Sequence, residues 1–155
     1  MPTKISKTSI TAATHRLTLE IARPRATVWT AFTGDVHSWW PKDFYATGSP
    51  HRMVFEVKPG GRLYEDSGNG NGLVWYHVIA VDAPDAITLS GFIAPPFGGP
   101  ATSLLRVAFS AQGKSATIME VTDSTFGCLG DLKTTEEGWR MLFEGGFKAW
   151  MERKR

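Results

Sequence analysis

The pattern that most constrains this chain is its last amphipathic stretch, where Trp139, Leu142, Phe143, Phe147 and Trp150 recur at a 3.6-residue period. Thr134 and Glu137 stand just ahead of it with the spacing of a capping box. The spacing predicts a helix from Thr135 to Glu152, about 27 Å long at about 1.5 Å per residue. A helix with one broad apolar stripe has to bury that stripe against another layer. Gly145 and Gly146 cost it about 1 kcal/mol each relative to Ala and leave a notch in its surface. Close packing on a sheet and the widening of a cavity both account for such a notch.

What precedes the helix reads as strands around one helical corner. Leu17, Leu19 and Ile21 alternate with Arg16, Thr18 and Glu20, so His15 to Ile21 is a half-buried strand. Pro24 opens a short helix through Val28, Trp29 and Phe32 that Gly34 stops. Asp35 caps a second one through Val36 and Trp39, which Pro41 closes. Strands follow at Arg52 to Val57 and Arg62 to Asp66, joined by Pro59-Gly60-Gly61. After the loop Gly68 to Gly72 come Leu73 to Val81 and Ala86 to Ile93. Three prolines and two glycines keep Ala94 to Pro100 irregular, and Thr102 to Ser110 and Thr117 to Ser124 complete seven strands.

This order predicts an α+β helix-grip fold: a curved seven-stranded antiparallel sheet wrapped around the long C-terminal helix, with two short helices after strand one and an apolar cavity between sheet and helix. At 155 residues the chain is one domain, able to bury roughly 70% of its unfolded surface. Residues 1–14 are polar and rich in Ser and Thr, which predicts a flexible segment ahead of a single domain over 15–155. They lack the apolar core of a signal peptide, and no run of about 18 apolar residues predicts a membrane span. The single cysteine, Cys128, leaves no internal disulfide, so a cytoplasmic location is expected.

The residues from Pro24 through Trp40 (PRATVWTAFTGDVHSWW), Phe55 to Asp66 (FEVKPGGRLYED) and Glu137 to Glu152 (EGWRMLFEGGFKAWME) resemble the START-like or SRPBCC superfamily. Within it they are most similar to the branch named after the activator of the heat-shock chaperone ATPase. The resemblance spans nearly the whole chain. It implies an elongated cavity for an apolar or amphipathic small molecule, put by different members to lipid binding, hormone or metabolite binding, polyketide cyclisation or co-chaperone work. It also implies a His where this chain has Asp123, shortly before Phe126, and that departure removes any mechanism carried by the His.

Standard catalytic constellations are absent from the sequence. There is no G-x-S-x-G elbow, no H-E-x-x-H and no phosphate loop. Cys128 would need His15, His37, His51 or His77 as a base, and no spacing supports any pairing. No metal site and no cofactor are expected, and catalytic residues stay unassigned. The net charge of +2 is scattered apart from Arg153 to Arg155, a solvated tail, so no nucleic-acid footprint forms.

Six Trp, nine Phe and three Tyr suit either an aromatic-rich core or a lined cavity. The expected wall is Trp39, Phe44, Phe92, Trp139 and Phe143, joined from strand parity by Phe55 and Met119. Tyr64, Trp75, His77, Arg106 and Asp123 are the polar candidates. Each polar one has a plainer reading: a solvated strand His, an Arg106 paired with Glu120, an Asp123 accepting backbone donors in a turn.

The expected function is binding of a hydrophobic or aromatic small molecule. The alternatives are a cofactor-free cyclase- or hydrolase-type enzyme using Tyr64, His77 or Asp123, and a co-chaperone-like protein-binding module presenting Trp40, Phe97, Trp150 and the Pro-rich loop Ala94 to Pro100. A homodimer through a sheet edge or the Pro-rich loop is compatible with the sequence, although no residue argues for it.

Overall fold

The computed structural model describes residues 2–48 and 51–153; Lys154 and Arg155 of the basic tail lie outside them. Its seven strands are β1 (Thr11–Ile21), β2 (Arg52–Phe55), β3 (Arg62–Gly68), β4 (Asn71–Asp82), β5 (Ala86–Ile93), β6 (Ala101–Gln112) and β7 (Ala116–Gly127). They form one sheet in the order β1-β7-β6-β5-β4-β3-β2, antiparallel throughout. Hairpins account for every neighbour except β1, which returns to pair with the last strand. β1 starts at Thr11 rather than His15 because β7 extends to Gly127 and offers a partner to each residue from Thr11 onward.

Strand parity sorts the sheet into two faces. Leu19 and Ile21, Leu105, Val107 and Phe109, and Met119 and Val121 are buried on the concave side. Their alternating neighbours Thr18, Glu20, Arg106 and Glu120 are exposed on the convex side. The helical corner, α1 (Arg25–Gly34) and α2 (Val36–Trp39), feeds Phe32 and Trp39 into this core. Phe32 stacks on Trp39 at 5.3 Å and meets Phe109 and Phe147 edge-on at 5.4 and 5.2 Å.

The terminal helix begins earlier than a capping box at Thr134 would place it. Asp131 is the N-cap: its carboxylate accepts the Lys133 N–H at 3.2 Å and the Thr134 hydroxyl at 3.0 Å. The helix then runs as α3 (Leu132–Arg140), a π-helical stretch from Met141 to Lys148, and α4 (Ala149–Arg153). Leu142, Phe143, Phe147 and Met151 are buried in the core, whereas α3 contains no buried residue. The notch also has a definite use. A Cβ on Gly146 would sit 2.8 Å from the Pro41 ring, so this glycine lets the helix approach the helical corner, while Gly145 faces open space. Among the described residues no helix is long and apolar enough to cross a membrane.

Candidate functional site

A cavity of about 500 Å³ opens between β4 to β7, the loop around Gly130 and α3. Two features of the sequence leave it unfilled. Along the register Gly91, Ser103 and Thr125 lie side by side on the concave face, small residues where the neighbouring rows carry Leu89, Leu105, Val107 and Val121. Above them α3 crosses without burying a side chain, and its half-buried Trp139 is the ring that reaches down.

The floor is one hydrogen-bonded unit centred on Asp123, which is only 2% exposed. Ser103 Oγ donates to its Oδ1 at 2.5 Å, and Thr125 Oγ1 and Trp139 Nε1 donate to its Oδ2 at 2.9 and 2.8 Å. With the Ser103 proton engaged there, the Tyr76 phenol is the donor in its 2.7 Å bond to Ser103 Oγ. Burial, with the charge of Asp123 behind it, raises the Tyr76 pKa far above its ordinary value, against a smaller opposing effect of the Ser103 bond. Gly91 makes the arrangement possible: a Cβ there would lie 2.9 Å from two atoms of the Tyr76 ring. Asp123 thus sits inside β7, serving side chains rather than a turn before Phe126, because the strand continues to Gly127.

A bulge supplies the neighbouring wall. Leu63 pairs with Tyr76 and Tyr64 with Val74, which leaves Trp75 as the extra residue and turns it and Tyr76 to the cavity together. Trp75 Nε1 donates to Glu65 at 2.6 Å. Glu65, 1% exposed, also accepts the backbone N–H groups of Ala46 and Thr47 at 2.8 and 2.9 Å and the Thr47 hydroxyl at 2.7 Å. Burial alone would raise its pKa; the donors from Thr47, Ala46 and Trp75 outweigh it and hold the carboxyl below its ordinary value. The segment after Pro41 is thereby pinned at the rim, where Ala46 lines the cavity.

Of the sequence-predicted residues, Trp75, Phe92, Asp123 and Trp139 line this cavity. Trp39, Met119 and Phe143 are buried in the core, with Phe55 packed against it, and Phe44 stacks behind Trp75 at 5.6 Å. Tyr64, His77 and Arg106 do not join them: the Arg62 guanidinium covers the Tyr64 ring, and the other two are exposed on the convex face. Parity tied Trp75 to His77, and the bulge breaks that link. Trp40, expected at the surface, is 5% exposed against Phe44 and Trp75. Among the described residues no group of His, Cys, Asp and Glu is placed to hold a metal.

Sequence reasoning missed Tyr76, Ser103, Thr125 and His15. Ser103 and Thr125 share parity with the buried Leu105 and Val121, so that signal was present, and His15 likewise shares it with Leu17 and Leu19. His15 is the cross-strand partner of Asp123; its Nε2 meets the Leu132 carbonyl at 3.2 Å, and its Nδ1 has no partner among the described residues.

A family model described as activator of Hsp90 ATPase homolog 1-like protein matches residues 22–152. No curated protein matches the chain. Among solved structures, a protein from Rhizobium loti is similar with a TM-score of 0.69 and 21% identity, over 88% of this chain and 96% of that one. Norcoclaurine synthase from Thalictrum flavum, in complex with dopamine and hydroxybenzaldehyde, superposes with a TM-score of 0.63 at 12% identity over 99% of both chains. An anthrahydroquino-γ-pyrone synthase aligns over 71% of this chain and 75% of its own, with a TM-score of 0.52 and 23% identity. At these identities the structural likeness is one of fold.

Proposed function

The chain belongs to the family of activator of Hsp90 ATPase homolog 1-like proteins, and from that premise we propose that it binds a hydrophobic or aromatic small molecule, without a cofactor, in the cavity beneath α3. The observation that carries the reading is the cavity itself: about 500 Å³, with Trp75 and Trp139 as walls and a floor whose hydroxyl and indole donors are engaged by Asp123. Burial of ligand surface at about 25 cal/mol per Å² supplies the driving force. The dopamine and hydroxybenzaldehyde bound by the norcoclaurine synthase support an aromatic ligand. The lone thiol of Cys128 suits a reducing cytoplasm.

A cofactor-free enzyme is the second reading, favoured by the Tyr76, Ser103 and Asp123 chain of hydrogen bonds. Of Tyr64, His77 and Asp123, it retains Asp123. A panel of bicyclic and tricyclic aromatics, titrated calorimetrically into the full chain and into Ala101→Trp, tests the binding reading, because Ala101 lines the cavity and a Trp there fills it. Binding by the native chain that the variant loses supports it. Equal binding by both, or none by either, refutes it. Product formation from a bound compound, abolished in Asp123→Asn, would promote the second reading.

A further inference from the structure

The hydrogen-bond inventory of the cavity narrows the class of ligand, on the premise that the cavity is the binding site. Its side-chain donors are already spent within the protein. Ser103, Thr125 and Trp139 give theirs to Asp123, Tyr76 gives its proton to Ser103, and Trp75 gives its N–H to Glu65. Leu132 O can only accept, so His15 Nε2 is the donor there. Thr134 and Thr135, on α3, return their hydroxyl protons to the Asp131 side chain and backbone. No Lys, Arg, Asn or Gln is among the described residues that line the cavity, which leaves the weak thiol of Cys128.

What remains unspent is acceptor and negative. Asp123 is buried with three neutral donors and forms no ion pair among the described residues. The His15 ring lines the same cavity with an unpartnered Nδ1. A buried carboxylate without a counter-charge is costly, and the low dielectric that makes it so carries its field across the cavity. Trp75, Tyr76 and Trp139 add aromatic rings that attract cations. A ligand carboxylate would meet a like charge and find no free side-chain donor stronger than the Cys128 thiol. We propose that the cavity selects a protonated arylalkylamine, its ammonium toward Asp123 and its ring among the aromatic side chains.

Three probes of matched shape test this: tryptamine, tryptophol and indole-propionate, titrated calorimetrically into the full chain at neutral pH. The expected order is tryptamine tighter than tryptophol by about tenfold or more, and indole-propionate weakest. In Asp123→Asn the ratio of tryptamine to tryptophol should fall to about one, with tryptophol binding reporting that the site still folds. Equal affinities in the native chain, tighter binding of the acid, or an undiminished ratio in a tryptophol-binding Asp123→Asn overturns the proposal. The native-chain ranking decides the matter if that variant does not fold. Failure of all three probes and of the larger aromatic panel overturns the binding reading itself, whereas panel binding with a flat ranking overturns the amine assignment alone.

Discussion

Trp139 Nε1 donates to Asp123 Oδ2 at 2.8 Å, so a single hydrogen bond ties the helix above the cavity to the strand beneath it. Because α3 buries no residue of its own, this bond, the His15 bond to the Leu132 carbonyl at 3.2 Å and the stacking of Trp139 on Phe143 at 5.5 Å are its main purchase on the fold. The cavity therefore stays open through under-packing, and its roof is held by polar contact.

Trp139→Phe separates the two contributions. It keeps a ring over Phe143 and removes the donor, leaving Asp123 with Ser103 and Thr125. The expected cost is about 1–2 kcal/mol, read from urea unfolding midpoints. A variant as stable as the native chain would mean that the bond does not secure the roof.

Glu65 gives a pH signature. Its folded pKa lies below its ordinary value of 4.5, so its stabilising contribution is present above that value and is lost as pH falls through the depressed folded pKa. Glu65→Gln leaves one acceptor for donors from Ala46, Thr47 and Trp75, at an expected cost of about 2–4 kcal/mol near neutrality. Urea midpoints of the two proteins should converge as pH falls from the ordinary value of 4.5 through the depressed folded pKa. A constant gap across that range would exclude the carboxylate as the latch.

Tyr76 makes the opposite prediction at the alkaline end. Its folded pKa is raised well above the ordinary 10.0, so its contribution is complete below pH 10 and erodes as pH climbs toward the folded value. Phenolate absorbance should show Tyr76 ionising only with unfolding, and Tyr76→Phe should remove that late step. Tyr45 also titrates late, through burial and then the charge of Glu65, so the comparison with Tyr76→Phe carries the assignment.

The frame was readable because its signals are periodic: seven strands and the terminal amphipathic helix follow from alternation and from the spacing of Trp139, Leu142, Phe143 and Phe147. The site was readable only in part. Asp123 and Trp139 could be named, yet their bond depends on how far the helix swings over the sheet, which no local pattern encodes. The bulge at Trp75 reverses the parity argument for His77, and a bulge is decided by the fit between two strands. Asp131 prevailed over Thr134 as the cap because the Thr134 hydroxyl donates to it.

Gly91 is where the cavity and the fold depend on the same missing atom. A Cβ there would come within 2.5 Å of the Trp75 carbonyl oxygen and 2.9 Å of the Tyr76 ring. Gly91→Ala should therefore push Tyr76 off Ser103, costing about 1–3 kcal/mol, and should weaken binding of whichever aromatic probe the native chain takes. Full stability with unchanged binding would show that β5 and β4 relax more readily than their pairing implies.

The paired glycines of the terminal helix offer a comparison in which length, composition and helix propensity all cancel. Gly145 faces open space, so Gly145→Ala should gain about 0.5–1 kcal/mol by restricting the unfolded chain and favouring the helix. At Gly146 the same methyl would stand 2.8 Å from Pro41 Cγ, and the gain is offset by forcing the helix off the helical corner. Gly146→Ala should thus be the less stable of the two by about 1–3 kcal/mol in thermal or urea unfolding. Equal stabilities would mean that the helix and Pro41 are not in close contact in solution. The glycine pair would then have to be explained by the π-helical stretch that contains it.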